Sequence, residues 1–391
     1  MMQFLVFTTI LSGVLGQLVK IPLGLGNLYL LDLLAVFTVT LWVILKLIER
    51  DYKFKIPSHL LPLFFFLFWA VITLVLGKTA VSLSELLTGG FYLVRFSFYS
   101  LFSLVVYDLK LKSVNSIFEH RLFKVLVASC VIIALAGFVQ LVIYPDITRL
   151  AAEFGYDPHK NRLVSTFLDP NFTAAYLVLG LILVICRIEA DPKVRWGAAG
   201  LFFSALVLTF SRSGWLMFSA ALMLFGFLKS PKLLLVALFA GFLAYFAVPR
   251  VQTRISGITD PDDSAKLRLV SWSHALEIAQ EKPIFGVGFN LYRQAQERFG
   301  FFDYHDFSGG HAGGGSDSSL LLVLATTGVV GLILFLLTFV NIFVKSLTKT
   351  TTYTGIILVL SLPALLIDSQ FINSFFFPQI MLWVWVLVGL L

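Results

Sequence analysis

In a chain with few charged residues, Asp169, Arg254, Arg268, His311 and Asp317 fall in its long polar loops, and Arg212 in a short turn between two apolar runs. A guanidinium is a planar fork of donors that binds phosphate oxygens two at a time, so several on one surface suit a diphosphate. His311 and Asp317 are candidate bases: an imidazole titrates near pH 6.5, and a carboxylate beside arginines stays ionised at lower pH. His311 sits among Gly309, Gly310, Gly313, Gly314 and Gly315, which permit close approach to a ligand. Each residue also has a plainer explanation. A lone arginine at a membrane rim often only snorkels to water. Asp317 before Ser318 and Asp169 before Pro170 both suit helix starts. Asp303, His305, Asp306 and His311 are metal-ligand types without a recognised ligand spacing, so neither a metal nor another cofactor is expected. Trp272, on the same expected helix as Arg268, is a candidate substrate contact. Arg95 lies inside an apolar run and is a functional candidate for that reason, with Glu85 or a lipid phosphate as its partner.

Composition says what must hold these residues. The chain has 391 residues, of which 58% are hydrophobic and 13% charged, with a mean hydropathy of +0.91. Soluble domains carry roughly 25% charged residues. The apolar runs are long and do not alternate, so helices are expected rather than barrel strands. The net charge of +7 fits loop bias and anionic lipid or phosphate ligands, and no nucleic-acid partner is expected. Cys130 and Cys186 lie inside apolar runs and suggest no disulfide or zinc framework.

A single all-α integral membrane domain over 1–391 follows, with about twelve spans near 4–19, 23–48, 58–77, 83–107, 122–144, 170–188, 194–210, 213–228, 231–249, 318–346, 353–368 and 371–391. The first reads as a retained helix, since Met1 to Leu18 has no basic leader. Alternate short loops carry the basic residues, among them Lys46, Arg50, Lys53 and Lys55, then Lys110, Lys112, Arg121 and Lys124. That bias places both termini in the cytoplasm and puts the long loops 145–169 and 250–317 outside. Within the second, Ser264 to Ala279 sets Leu267, Val270, Ala275 and Ile278 on a helical stripe, an amphipathic helix along the membrane face. Pro283 stops it.

Several segments together carry a resemblance. They are Phe210-Ser211-Arg212-Ser213-Gly214-Trp215, Arg268-Leu-Val-Ser-Trp272, Pro283-Ile-Phe-Gly286-Val-Gly288, Asp317 to Gly331, and Asp368 to Gly389 with its Pro378 and Trp383. In this order the chain resembles the O-antigen ligase and O-antigen polymerase family of bacterial polysaccharide assembly. The resemblance implies a GT-C-like glycosyltransferase with about a dozen helices and a long outer loop between the ninth and tenth. It also implies a glycan donor on undecaprenyl diphosphate, transfer at the outer face of the bacterial cytoplasmic membrane to a glycan or lipid-core hydroxyl, and Arg212 and Arg268 on the diphosphate. Ligases typically show His-Asn where this chain has Asp317-Ser318, so the base is His311 reaching back through the glycines or Asp317 itself. A transporter or flippase is the rival reading. It would favour internal repeats and polar groups at mid-membrane, whereas no repeat is evident here and the polar groups collect at one rim.

Overall fold

The computed structural model describes the chain apart from residues 25, 51–55, 114–115, 151–155, 187–190, 248, 257–262 and 302–314. His311, Asp303, His305 and Asp306 lie outside the described residues, as does the side chain of Arg254.

In chain order the helices are α1 (Met2–Ser12), α2 (Leu30–Ile48), α3 (Leu61–Gly77), α4 (Leu83–Leu111), α5 (Ile117–Ile143), α6 (Pro170–Cys186), α7 (Pro192–Thr209) and α8 (Arg212–Leu228). They continue as α9 (Pro231–Ala247), α10 (Pro249–Ser256), α11 (Asp263–Glu281), α12 (Tyr292–Arg298), α13 (Ser319–Leu347), α14 (Tyr353–Asp368) and α15 (Pro378–Gly389). A hairpin of β1 (Lys20–Leu23) and β2 (Gly26–Tyr29) precedes α2, so this part of the run from 23 onward is extended rather than helical. Pro22, Gly24 and Gly26 break the helix pattern there.

The interior follows from composition. α6, α14 and α15 are apolar round their whole circumference and are buried along nearly their whole length. α15 packs on α4, α14 on α8, α6 between α7, α8 and α5, and α13 on α3. The outer helices turn large apolar side chains outward, such as Phe65 and Phe68 on α3 and Phe227 on α8. In water those would be a liability; against lipid tails they are at home.

The count of about twelve spans is corrected. Among the described residues five helices are long and apolar enough to cross a membrane: Leu30–Ile48, Ser58–Ala80, Leu83–Leu111, Ile117–Ile143 and Ser319–Leu347. They make this a multi-pass membrane protein. Helices do form near the other expected spans, but most are shorter. α6 and α8 have 17 residues and α15 has 12. At 1.5 Å per residue a 17-residue helix covers about 25 Å, less than the roughly 30 Å of hydrocarbon. Apolar composition does not mark where a run is cut by caps and turns.

Arg95 is also corrected. Its partner is Asp32, at 2.7 Å and buried, whereas Glu85 sits in the capping box of α4 with Ser82. Asp32 also accepts from Tyr99 Oη and from the Tyr29 amide, both at 2.8 Å, while Arg95 donates to the Asn27 carbonyl. The buried charge is thus paired and saturated with donors, the condition under which such a pair is tolerated. Its effect is to bind the hairpin to α2 and α4.

The longest helix, α13, is broken at Gly328, where φ is 68° and ψ is −175°. A break inside a membrane helix frees backbone groups that lipid cannot satisfy. The segment after Pro283 satisfies them. The amides of Val287 and Gly288 donate to the Ala325 and Thr326 carbonyls at 2.9 and 3.0 Å, and Val329 N donates to Pro283 O at 2.8 Å. Trp69 Nε1 donates to Thr327 O at 2.8 Å. The two segments touch backbone to backbone: a Cβ on Gly328 would lie 2.1 Å from Ile284 O, and one on Gly286 2.3 Å from the Thr326 carbonyl carbon. Gly328→Ala is therefore expected to cost about 2–4 kcal/mol, combining a positive φ with a backbone clash. Thermal unfolding in detergent checks this against Gly241→Ala on α9, where nothing lies within 4 Å of the added Cβ. Equal melting temperatures for the two variants would contradict the brace.

Candidate functional site

Arg212 owes its place to a tight turn. α7 ends at Phe210, which is left-handed (φ 50°, ψ 35°). Ser211 then caps α8 by accepting from Gly214 N, and its hydroxyl donates to Asn171 Oδ1 at 2.9 Å. Arg212 follows as the first residue of α8. A helix N-terminus is the positive end of the helix dipole, so the guanidinium stands where an anion is already favoured.

Arg268 comes from α11, which spans two residues more than the expected amphipathic helix at its far end and one more at its start. Its Nε donates to the Phe371 carbonyl at 3.2 Å, fixing it to the turn between α14 and α15. The expected apolar stripe is split. Ala275 and Ile278 are buried in a small cluster with Val287, Tyr292, Ala295 and Ala325, whereas Leu267 is 66% and Val270 46% exposed. Trp272 packs on Phe371, with ring centres 5.8 Å apart, and supports that turn from behind.

Arg212, Arg268, Asp169 and Asp317 meet on the wall of one cavity of about 580 Å³. Its residues come from five places: the β1–β2 hairpin, the loop before α6, the α7–α8 turn, α11 with the approach to α13, and the α14–α15 turn. Arg95 and Trp272 are not among its lining residues. Asp169 does two things there. Its Oδ1 accepts from the amides of Asn171 at 2.6 Å and Phe172 at 3.1 Å, a helix cap, while the residue faces the cavity.

Asp317 is not the cap of α13. Ser318 is, accepting from Leu321 N at 3.3 Å. The Asp317 amide instead accepts the support of α11, donating to Ser271 Oγ at 2.9 Å. Burial raises the Asp317 carboxyl from 3.8 to about 6, with the Arg268 charge opposing and the Asp169 charge adding to the rise.

Three acidic, basic or histidine residues of the wall were not singled out in the sequence: Asp157, His159 and Arg162. All sit in the loop before α6, where no periodicity marks them; the available signal was a cluster of polar residues in an otherwise apolar chain. Arg162 donates to the carbonyls of Thr209 at 2.8 Å and Phe210 at 3.3 Å, so it braces the turn ahead of Arg212. One potential ligand atom each of Asp157, His159 and Asp169 lies within 4.8 Å of the other two, a donor set of the kind that can take a divalent cation. The wall thus pairs Arg162, Arg212 and Arg268 with Asp157, Asp169 and Asp317, arginines able to grip phosphate beside a carboxylate able to accept a proton near neutral pH.

A carboxyl whose folded-state pKa is raised costs stability once the pH passes its unfolded value, because the unfolded chain then gives up the proton that the fold keeps. The cost is absent near pH 4, develops between about 4 and 6, and is complete above 6. Asp317→Asn should therefore stabilise the protein by roughly 2–3 kcal/mol at pH 7.5 and leave it unchanged at pH 4. Melting temperatures in detergent at the two pH values measure this. A variant less stable than the parent at pH 7.5 would mean that the ionised carboxylate holds the fold together.

Comparison with curated proteins returned no match. Residues 197–336 match the family model described as O-antigen ligase. The matched stretch runs from α7 into α13 and contains Arg212, Arg268, His311 and Asp317, together with the braced break at Gly328. Over these residues the chain is similar to the O-antigen ligase family.

Proposed function

We propose that the protein is a glycosyltransferase that moves a glycan from undecaprenyl diphosphate to an acceptor hydroxyl, at the outer face of the bacterial cytoplasmic membrane. The observation that carries this reading is that Arg212 and Arg268, from separate segments, share one cavity with Asp317. The acceptor hydroxyl gives its proton to the base, its oxygen attacks the anomeric carbon, and the bond from that carbon to the diphosphate oxygen breaks. Attack from the face opposite the leaving group inverts the anomeric centre. The leaving diphosphate gathers negative charge as the bond breaks. Two guanidiniums on its oxygens stabilise that charge more in the transition state than in the bound donor, which is what lowers a barrier. A good leaving group held this way needs no general acid.

Asp317 is the base in this reading. A carboxyl near 6 is ionised at neutral pH yet more basic than an ordinary aspartate. His311 is the alternative base named by the sequence. Arg254 is the third arginine of the diphosphate site in this reading. Asp169, Trp272 and Arg95 are less direct: Asp169 faces the cavity, Trp272 backs the Phe371 turn, and Arg95 holds the hairpin. The arginines supply the positive charge that a divalent cation supplies in nucleotide-sugar transferases. Both termini are cytoplasmic, and the loops 145–169 and 250–317 face outward.

With purified protein, lipid-linked donor and acceptor, Arg212→Lys and Arg268→Lys should each lower transfer by roughly 10²-fold, because a point charge does not reproduce the bidentate fork. Near-normal turnover in both would mean that they only snorkel. The rate should fall as pH drops through about 6, and Asp317→Asn should be folded and inactive. A folded, active Asp317→Asn beside a dead His311→Ala would move the role to His311. EDTA should leave the rate unchanged; loss with EDTA and return with Mg²⁺ or Mn²⁺ would overturn the arginine-only account and point to Asp157, His159 and Asp169. In cells, a gene deletion that abolishes capping of a lipid core marks a ligase, and one that alters only chain length marks a polymerase.

A further inference from the structure

Arg250, the second residue of α10, is not among the residues lining the cavity, yet it holds two of its walls. Its Nη1 donates to the Asn161 carbonyl at 2.6 Å and its Nη2 to the Lys160 carbonyl at 2.8 Å. Its guanidinium also lies over the Phe210 ring, with Cζ 4.7 Å from the ring centre. Two adjacent carbonyls and an aromatic face are met at once by the edge and the flat face of one planar cation. An ammonium, being a point charge, has no such geometry.

What Arg250 grips is what precedes Arg212. Phe210 is left-handed, as is Asn161 with φ 51°. A large side chain in that region costs about 1–2 kcal/mol and persists only where its surroundings over-determine it. Here Phe210 is held on its carbonyl by Arg162 and on its ring by Arg250. Leu163 N donates to Leu208 O at 2.9 Å and closes the same seam. Two residues after Phe210 comes Arg212. Four residues before Asn161, on the other side of the seam, comes Asp157, so the clasp fixes the arginine side of the cavity against its Asp157–His159 side.

We propose that Arg250 is a positioning residue that acts through Phe210 and the 160–161 turn to aim Arg212 at the diphosphate. This rests on reading Arg212 as a diphosphate ligand. The coupling should therefore be to Arg212 in particular and not to the fold at large.

The test is a double-mutant cycle on the full chain in detergent, with undecaprenyl diphosphate as the titrated probe. Arg250→Ala should weaken binding about tenfold in the parent and have little further effect once Arg212 is already alanine. Arg250→Lys should lose nearly as much as Arg250→Ala. Phe210→Leu, which removes the ring but keeps the hydrogen bonds to the 160–161 turn, gives the same loss without relying on the Arg250 variants folding. Parent-like affinity in Arg250→Ala, or a loss that adds in full to that of Arg212→Ala, would overturn the positioning role. If the parent binds and Arg212→Ala binds equally well, the reading of Arg212 itself fails, and the inference falls with it. If the parent does not bind the probe at all, both are wrong.

Discussion

Charge is costly in this molecule, and most of its design follows from where charge is permitted. A helical bundle in lipid can hold an ion only if the ion is paired, saturated with hydrogen bonds or placed at an end. Arg95 is tolerated inside because Asp32 answers it, and Lys46 because Asp108 lies 2.6 Å away. The polar groups able to act on a substrate gather where helices stop. The α7–α8 turn, the start of α6, the approach to α13 and the α14–α15 turn meet at one cavity. Three arginines and three carboxylates share its wall.

The same constraint explains the braces. A turn rich in unsatisfied backbone is stable at a membrane protein's end only when other segments complete its hydrogen bonds. Pro283 to Gly288 completes the break in α13, Arg162 completes the turn ahead of α8, and Arg250 completes the 160–161 turn beside it. Two of the segments that resemble the family, the one around Gly286 and the one around Gly328, are the two halves of one contact. Their glycines are needed for backbone approach rather than for chemistry. In the proposed function Arg212 and Arg268 carry the chemical side of the resemblance.

Much of the site was legible because so few residues were eligible. With 13% of residues charged, Arg212, Arg268, Asp169 and Asp317 stood out, and they share a cavity. The cap at Asp169 was readable from local chemistry, and α11 from its turn-by-turn pattern. What depended on distant partners was not. Asp32 lies 63 residues from Arg95, so a partner on the same helix, Glu85, looked closer than the true one. Asp317 looked like a cap because Asp and Ser318 are both good caps, and only the helix start at Ser319 chooses between them. Asp157, His159, Arg162 and Arg250 act through tertiary contacts and carry no periodic signature. The number of spans was overestimated because hydropathy records how apolar a run is, while the length of its helix depends on turns such as the one at 369–377, which leaves the last helix only Pro378–Gly389.

The central claim is that one cavity grips a diphosphate between Arg212 and Arg268. A structure of the detergent-purified or nanodisc-embedded protein with undecaprenyl diphosphate tests it most directly. Both guanidiniums are expected within hydrogen-bond distance of phosphate oxygens, with the Asp317 carboxylate facing the same cavity and the isoprenoid tail leaving toward lipid. Phosphates bound away from both arginines, or guanidiniums that face separate surfaces in the bound state, would contradict it.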